Sequence, residues 1–498
     1  MEIWDWFRRH RPGSEEIERS LRRFREGDHD QRKESGKVLV ASGRRAVAPL
    51  IEMLRVEDGD LPWMIGDVLK EIGRPALQAL LEFIQAREGP DLHRGLRALW
   101  ELEETAAPAI PCLAGLLKSA DPEVRMRSAH ALGRIGPACA AVLPDLLAST
   151  LDPDAGVRSS TAYALERSGI AREDVRAGLT RLLGDPDPGV RGTALGAFQS
   201  LYPHDLPPIE VLRRLLRDDD TDVRRKTIEA AGERGTRASE VAAELAESLD
   251  HPDLDLAAAE AVWLVTGRAE GVIPVVLRNL RKAEECSPEA ACDVVSKVGP
   301  AARDAVPRLV ELLKEEDYDL LWAAADALAA IGRDAEPAIP ELARLLDHPS
   351  GTVGSSAARA LGEIGRPAFP AVFQVLKTGA PRAQEFAADA LGWLGEAALE
   401  ALPSLVRLLE RSRDNPEFFC WILLAIGEID PEEAGAERLA ALLEEGLASS
   451  MRARTAAVLG RLGPDAAEAL PALKRAARDE DEKVSQAARA ALDRIRKS

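Results

Sequence analysis

The chain has 498 residues, of which 46% are apolar, 4% aromatic and 30% charged. Sixty-five Lys and Arg stand against 84 Asp and Glu, a formal net charge of −19. That charge density, and the lack of any run of about 18 apolar residues, excludes a membrane-embedded chain. The acidic balance disfavours a nucleic-acid-coating surface, which needs clustered positive charge. With so few aromatics the apolar content is mostly Ala, Leu, Val and Ile, a helix-forming mixture.

Residues 1–27 come first and stand apart. They hold seven Arg, six acids and four of the large aromatics, Trp4, Trp6, Phe7 and Phe24. The segment lacks the apolar core of a signal peptide, so the expected location is the cytoplasm. Its expected role is a helical cap over the open face of the helices from residue 28 onward; the alternative is an anchor lying on a membrane or partner surface. The five cysteines, Cys112, Cys139, Cys286, Cys292 and Cys420, are odd in number and form no C-x-x-C. That argues against a disulfide framework or a zinc knuckle and for thiols in a reducing compartment.

From residue 28 onward the sequence repeats. Val124 recurs as Val157, Val190 and Val223, each 33 residues on. Later equivalents are Leu256, Ser287, Leu320, Val353, Ala383, Phe418, Met451 and Val484, and earlier ones are Gln31, Leu61 and Asp91. This makes fifteen units, numbered in chain order, and nine of the fourteen spacings are 33. Each unit reads as two helices. The first carries a proline 13 residues before the Val position, as at Pro144, Pro307, Pro340 and Pro471, where proline suits a helix start. A turn comes next, often Asp-Pro, as at Asp121-Pro122, Asp152-Pro153 and Asp185-Pro186. The Asp is expected to accept the free N–H groups of the next helix.

The second helix has apolar residues at offsets 0, 5, 8 and 11 from the Val position, which fall on one stripe of a 3.6-residue helix. Val353, Ala358, Leu361 and Ile364 are one example. A glycine then ends it, as at Gly136, Gly332, Gly365 and Gly463. A two-helix unit of this size cannot bury its stripe alone, so residues 28–498 are expected to stack as one continuous solenoid. Arg489 takes offset 5 in the last unit, where a charge suits a stripe with nothing stacked beyond it.

The D-P-x-V-R…A-L-G-x-I-G pattern, with proline in the first helix, resembles HEAT-like repeats of the phycobilisome-lyase type. The resemblance covers residues 28–498 and implies an all-α fold, a right-handed α-solenoid (α-α superhelix) of about fifteen two-helix HEAT-like repeats. Some members of that group act on chromophores, and others hydroxylate a lysine derivative with iron held by His-Glu pairs. The seven histidines here, His10, His29, His93, His130, His204, His251 and His348, are followed by Arg, Asp, Arg, Ala, Asp, Pro and Pro, so that iron site does not carry over. No P-loop, G-x-S-x-G or H-E-x-x-H occurs. No catalytic residue, metal or cofactor is expected, and the chain is read as a non-enzyme.

The remaining faces of the second helix carry the functional expectation. Offset 1 is Arg125, Arg158, Arg191, Arg224 and Arg452. Their stems are expected to pack between repeats and their guanidinium groups to meet turn aspartates of neighbouring units. Offsets 2, 6 and 9 point away from the stripe. In the C-terminal half they present Glu289, Asp293, Trp322, Asp326, Glu385 and Asp389, bordered by Phe386, Trp393 and Trp421. In the N-terminal half the same strip shows Met126, His130, Tyr163 and Arg225. Tryptophan amid carboxylates suits a cationic, partly apolar protein segment. The expected function is a protein-binding scaffold that holds such a partner along its concave face. Two alternatives stand beside it: an accessory subunit of a bilin lyase or other protein-modifying enzyme, and nucleic-acid binding through the Arg125–Arg224 zone. The excess of Arg over Lys, 53 to 12, hints at a GC-rich bacterial genome.

Overall fold

The computed structural model describes residues 13–55, 60–281, 287–412, 416–443 and 447–497. These residues form helices joined by turns and divide into two compact units, Met1–Glu244 and Leu245–Ser498. Each unit is an all-α solenoid in which second helices pack on second helices. In the first, Pro122–Ile135 lies against Ala155–Arg167, which lies against Pro188–Leu201. In the second, Tyr318–Ile331, Gly351–Ile364 and Pro381–Leu394 follow one another in the same way.

All fifteen expected second helices are present, from His29–Ser42 to Glu482–Lys497. Their buried stripe is wider than the sequence pattern showed, because offsets 4 and 7 are buried as well. In Pro122–Ile135 the set is Val124, Ser128, Ala129, Ala131, Leu132 and Ile135, with Gly133 buried beside them. Most of the extra positions take small residues, with Ile65 and Ile422 the larger exceptions at offset 4. Where these are hydroxylic they return a hydrogen bond to the carbonyl four residues back, as Ser128, Thr161 and Thr227 do at 2.7, 2.8 and 2.7 Å. These hydroxyls are therefore buried without being stranded.

Repeat 8 corrects the predicted register. Its stripe begins at Leu254, 1% exposed, and continues through Ala258, Ala259, Ala261, Val262 and Val265. Leu264, which the register from Leu256 would bury, is 40% exposed. Two apolar stripes coexist on this alanine-rich helix. The chosen one places small Ala at offsets 4, 5 and 7, where the neighbouring helix packs closest.

The glycine stops are as expected: Gly136, Gly332, Gly365 and Gly463 have φ of +80°, +72°, +85° and +56°, backbone that any side chain would strain. After several of these stops the chain enters a short 3-10 turn before the first α-helix of the next repeat. The prolines at 111, 144, 307, 340, 403 and 471 sit at the start of that helix, where their missing N–H costs nothing.

The turns hold a second correction. Asp121 caps its helix through the Glu123 N–H. In the next repeats, however, the capping residue is not the aspartate before proline but one two residues later. Asp154, Asp187 and Asp220 accept from the N–H of Val157, Val190 and Val223. The first aspartate of each D-x-D instead meets the arginine of the preceding repeat. Arg125 donates to both carboxylate oxygens of Asp152 at 2.7 and 2.8 Å, and Arg158 to both of Asp185 at 2.6 and 2.7 Å. Arg191 repeats the pattern on Asp218, and Arg452 donates to Asp479 at 3.1 Å. The remaining nitrogen of each of the first three reaches carbonyls of its own turn, such as Asp152 and Pro153 for Arg158. Elsewhere the pattern changes: His251 stands in the aspartate position 27 residues after Arg224, and in repeat 10 Leu321 replaces the arginine and His348 the aspartate.

Burial pushes the Asp152 and Asp185 carboxyls up, but hydrogen bonds and charge from Arg125 and Arg158 outweigh it and hold both below the usual range. Their contribution to stability is present above the ordinary carboxylate pKa and is lost as pH falls through the lowered value.

At the N-terminus, Ser14–Glu26 packs on His29–Ser42 and buries Ile17 and Phe24. Trp4, Trp6 and Phe7, on which the choice between cap and anchor turned, lie outside the described residues.

In the second unit, glycines on the second helices let side chains of the following repeat close down. A Cβ at Gly354 would lie 2.7 Å from the Phe386 ring, and one at Gly362 would overlap the Trp393 Cβ. Gly362→Ala is therefore expected to lower stability by about 1–3 kcal/mol and to shift tryptophan emission, read by thermal denaturation and fluorescence. Arg158→Ala should lower the urea midpoint by an amount equivalent to about 2 kcal/mol. Asp185→Ala should match it, and the double variant should fall no further than either single one.

Candidate functional site

The strip opposite the buried stripe divides sharply between residues engaged with each other and residues left facing solvent. On Pro288–Val298, Glu289 and Asp293 are one turn apart, with no ion pair among the described residues, and both are exposed. On the next second helix Trp322 is 40% exposed. Asp326, one turn on, is half-buried and pairs with Arg359 of repeat 11. Glu385 and Phe386 are half-buried in repeat 12, with the Phe386 ring seated on Gly354. Trp421 is half-buried in repeat 13.

Asp389 does not face a partner. It is 3% exposed and accepts from Arg454 Nη1 at 2.5 Å. Arg454 belongs to repeat 14, so this bond skips a repeat. The same guanidinium holds Glu428 of repeat 13 through Nε and Nη2, both at 2.7 Å. Its carbon also lies 4.5 Å from the ring centroid of Trp393, which is 38% exposed. Burial pushes the Asp389 carboxyl up against the pull of Arg454. Burial raises Glu428 as well, and the Asp389 charge adds to it. Burial also works against the charge of Arg454, but the two carboxylates outweigh it and keep the guanidinium protonated. Sequence spacing placed Asp389 on the open strip. Its cation, 65 residues away, is outside any local pattern.

The strip of the first unit carries a stack of rings that offset reading only half found. Trp63 and Trp100 meet edge to face at 5.9 Å, Trp100 and His130 lie 4.4 Å apart, and His130 stacks on Tyr163 at 5.0 Å. Arg97 lies over Trp63 at 5.4 Å and Arg127 over Trp100 at 5.5 Å. The Trp100 indole N–H donates to the Arg127 carbonyl at 3.1 Å. Tyr163 closes onto Gly133, where a Cβ would be 2.6 Å from its ring. Burial first, then the charges of Arg134 and Arg127, lower the His130 pKa, so this histidine stacks as a neutral ring. The stack runs diagonally across offsets 2, 9 and 6. A search along one offset therefore reaches His130 and Tyr163 and misses the two tryptophans.

Within the Arg125–Arg224 zone, three of the arginines that the nucleic-acid alternative rests on are engaged inside the fold. Arg125, Arg158 and Arg191 are committed to turn aspartates and carbonyls, with side chains only 13%, 12% and 13% exposed. Guanidinium groups locked in this way cannot track a phosphate backbone.

Among the described residues no group of three His, Cys, Asp or Glu is placed to hold a metal ion. Asp28, flanking His29, is the N-cap of its helix and shares a capping box with Gln31. Cys139 and Cys292 are buried, which pushes their thiols up to about 11 and about 12 and leaves them unreactive.

A family profile described as HEAT repeats matches residues 90–166, 176–265, 273–358 and 339–418, well over half of the chain. No curated protein matches it. Among solved structures, the karyopherin Kap121p bound to the extreme C-terminus of the protein phosphatase Cdc14p is similar at 14% identity and a TM-score of 0.52. The match covers 97% of this chain and 66% of that one. Yeast importin-beta, Kap95p, is similar at 11% identity and a TM-score of 0.54, covering 96% of this chain and 76% of that one. At such identities the likeness is one of fold. This chain belongs to the HEAT-repeat family.

Proposed function

We propose that this HEAT-repeat chain is a non-enzymatic scaffold that holds a cationic, partly apolar segment of a partner protein on the strip formed by repeats 9 and 10. The observation that carries this reading is the contrast along one row of carboxylates. Asp326 has Arg359 and Asp389 has Arg454, whereas Glu289 and Asp293 form no ion pair among the described residues and lie on the helix next to the exposed Trp322. The cluster around Arg454 shows what a guanidinium finds on this wall: two carboxylates and a tryptophan face. Glu289, Asp293 and Trp322 offer the same chemistry to a guanidinium or ammonium arriving from outside.

A solenoid of similar fold bound to the extreme C-terminus of another protein supports an extended segment as the occupant. The lyase-type likeness rests on the Asp, Val and Arg of the turn motif, which tie one repeat to the next. It supports a kind of repeat rather than a lyase partner. The buried thiols of Cys139 and Cys292 fit a cytoplasmic setting.

The test uses a fluorescent twelve-residue peptide of alternating Arg and Leu, and its Glu-for-Arg counterpart, titrated with the full chain. The basic peptide should bind, the acidic one should not, and affinity should fall as salt rises. Glu289→Lys with Asp293→Lys, and separately Trp322→Ala, should each weaken binding about tenfold, about 1.4 kcal/mol. Exposed Glu396→Lys should leave it unchanged. Equal binding by both peptides and all variants would overturn the reading.

A further inference from the structure

The group formed by Asp389, Glu428 and Arg454 is chemically unbalanced. One guanidinium serves two carboxylates, so the cluster carries a surplus negative charge whenever both are ionised. Asp389 is 3% exposed, and the side chains of Glu428 and Arg454 are 12% and 17% exposed. A surplus charge so far from water is costly, and it is relieved when one of the two carboxylates takes up a proton.

The site is built for this arrangement. Gly392 has no side chain where a Cβ would overlap Glu428 Oε2, so the carboxylate can rest on the neighbouring helix. The other cations nearby are engaged elsewhere. Arg359 pairs with Asp326 and Arg452 with Asp479. Arg461 donates to the carbonyls of Gly427 and Glu428, and its charge lowers Glu428 only partly against burial.

We propose that Asp389, Glu428 and Arg454 form a proton-operated clasp across repeats 12, 13 and 14, which grips more tightly when one of its carboxylates takes up a proton from solvent. The proton goes to a carboxylate oxygen, and the cluster then holds one positive and one negative charge. Burial raises both carboxyls above their ordinary range, and so the folded chain takes up this proton at a pH where the unfolded chain does not. The clasp therefore strengthens as pH falls from neutral toward the ordinary carboxylate range. This is the opposite sign to Asp152 and Asp185 in the first unit. Mild acidification stiffens the repeats bearing Trp393 and Trp421.

Hydrogen exchange of the full chain, read by mass spectrometry over Pro416–Ile429 and Ser449–Leu462 and corrected for intrinsic rates, tests the clasp. As pH falls from 7.5 to 5.0, toward the ordinary carboxylate range, the wild-type protection of both helices should rise roughly three- to tenfold. Asp389→Asn keeps the shape and removes the surplus charge. It should show the acid-level protection already at pH 7.5 and respond no further, and Glu428→Gln should do the same. Exposed Glu396→Gln changes net charge equally and should retain the wild-type response. A wild-type pH response surviving in both Asp389→Asn and Glu428→Gln would overturn the proposal. So would lower protection than wild type in both variants at both pH values.

Discussion

A pair of helices some thirty-three residues long has more apolar surface than it can cover by folding on itself. Within each unit the second helices hide their stripes by leaning on one another. That dependence fixes most of what the structure shows. It favours small residues at offsets 4 and 7, so that helices approach, and glycine where a neighbour's ring or carboxylate must close down, as at Gly133, Gly354, Gly362 and Gly392. It also leaves part of the opposite strip, as at Asp293 and Trp322, free of packing duty. A binding face can develop on that strip without disturbing the core.

The charged residues obey the same division. In the first unit, arginine at offset 1 is absorbed by aspartates of the following turn, and the pairs sit at the margin of the buried seam. In the second unit the same offset turns apolar at Leu321, and cations reappear on the strip itself, as Arg359 and Arg454. The net charge of −19 therefore says little about local character. Much of the acid is matched within the array. The carboxylates that bear on recognition are few and are marked out by what their neighbours lack.

Most of the architecture was legible because it is local. Offsets of 0, 5, 8 and 11, a proline near one helix start and a glycine at another's end are each readable within a single repeat. The register failed at Leu256, where an alanine-rich helix carries two equivalent stripes and only the packing of neighbours selects Leu254. The capping residue failed at Asp152 and Asp185 because D-x-D offers two candidates, and the arginine 27 residues upstream decides between them. On the strip, Trp322 and Asp293 were placed where exposure finds them, whereas Asp389 was misplaced because its cation comes from two repeats away. Trp63 and Trp100 were missed because their stack crosses offsets instead of following one.

The handshake between an arginine and the aspartate 27 residues later has a genetic corollary. Every repeat from 4 to 6 carries the same donor at its trailing edge, and repeats 5 to 7 carry the same acceptor at their leading edge. A whole block, such as residues 158–190, could be lost or duplicated and the new junction would still find a matching hand. The first unit thus has ends that recombine without redesign, so the length of its array can drift by unequal exchange. The second unit lacks this freedom between repeats 12 and 14, where a single side chain counts two neighbours and makes the order of three repeats indivisible.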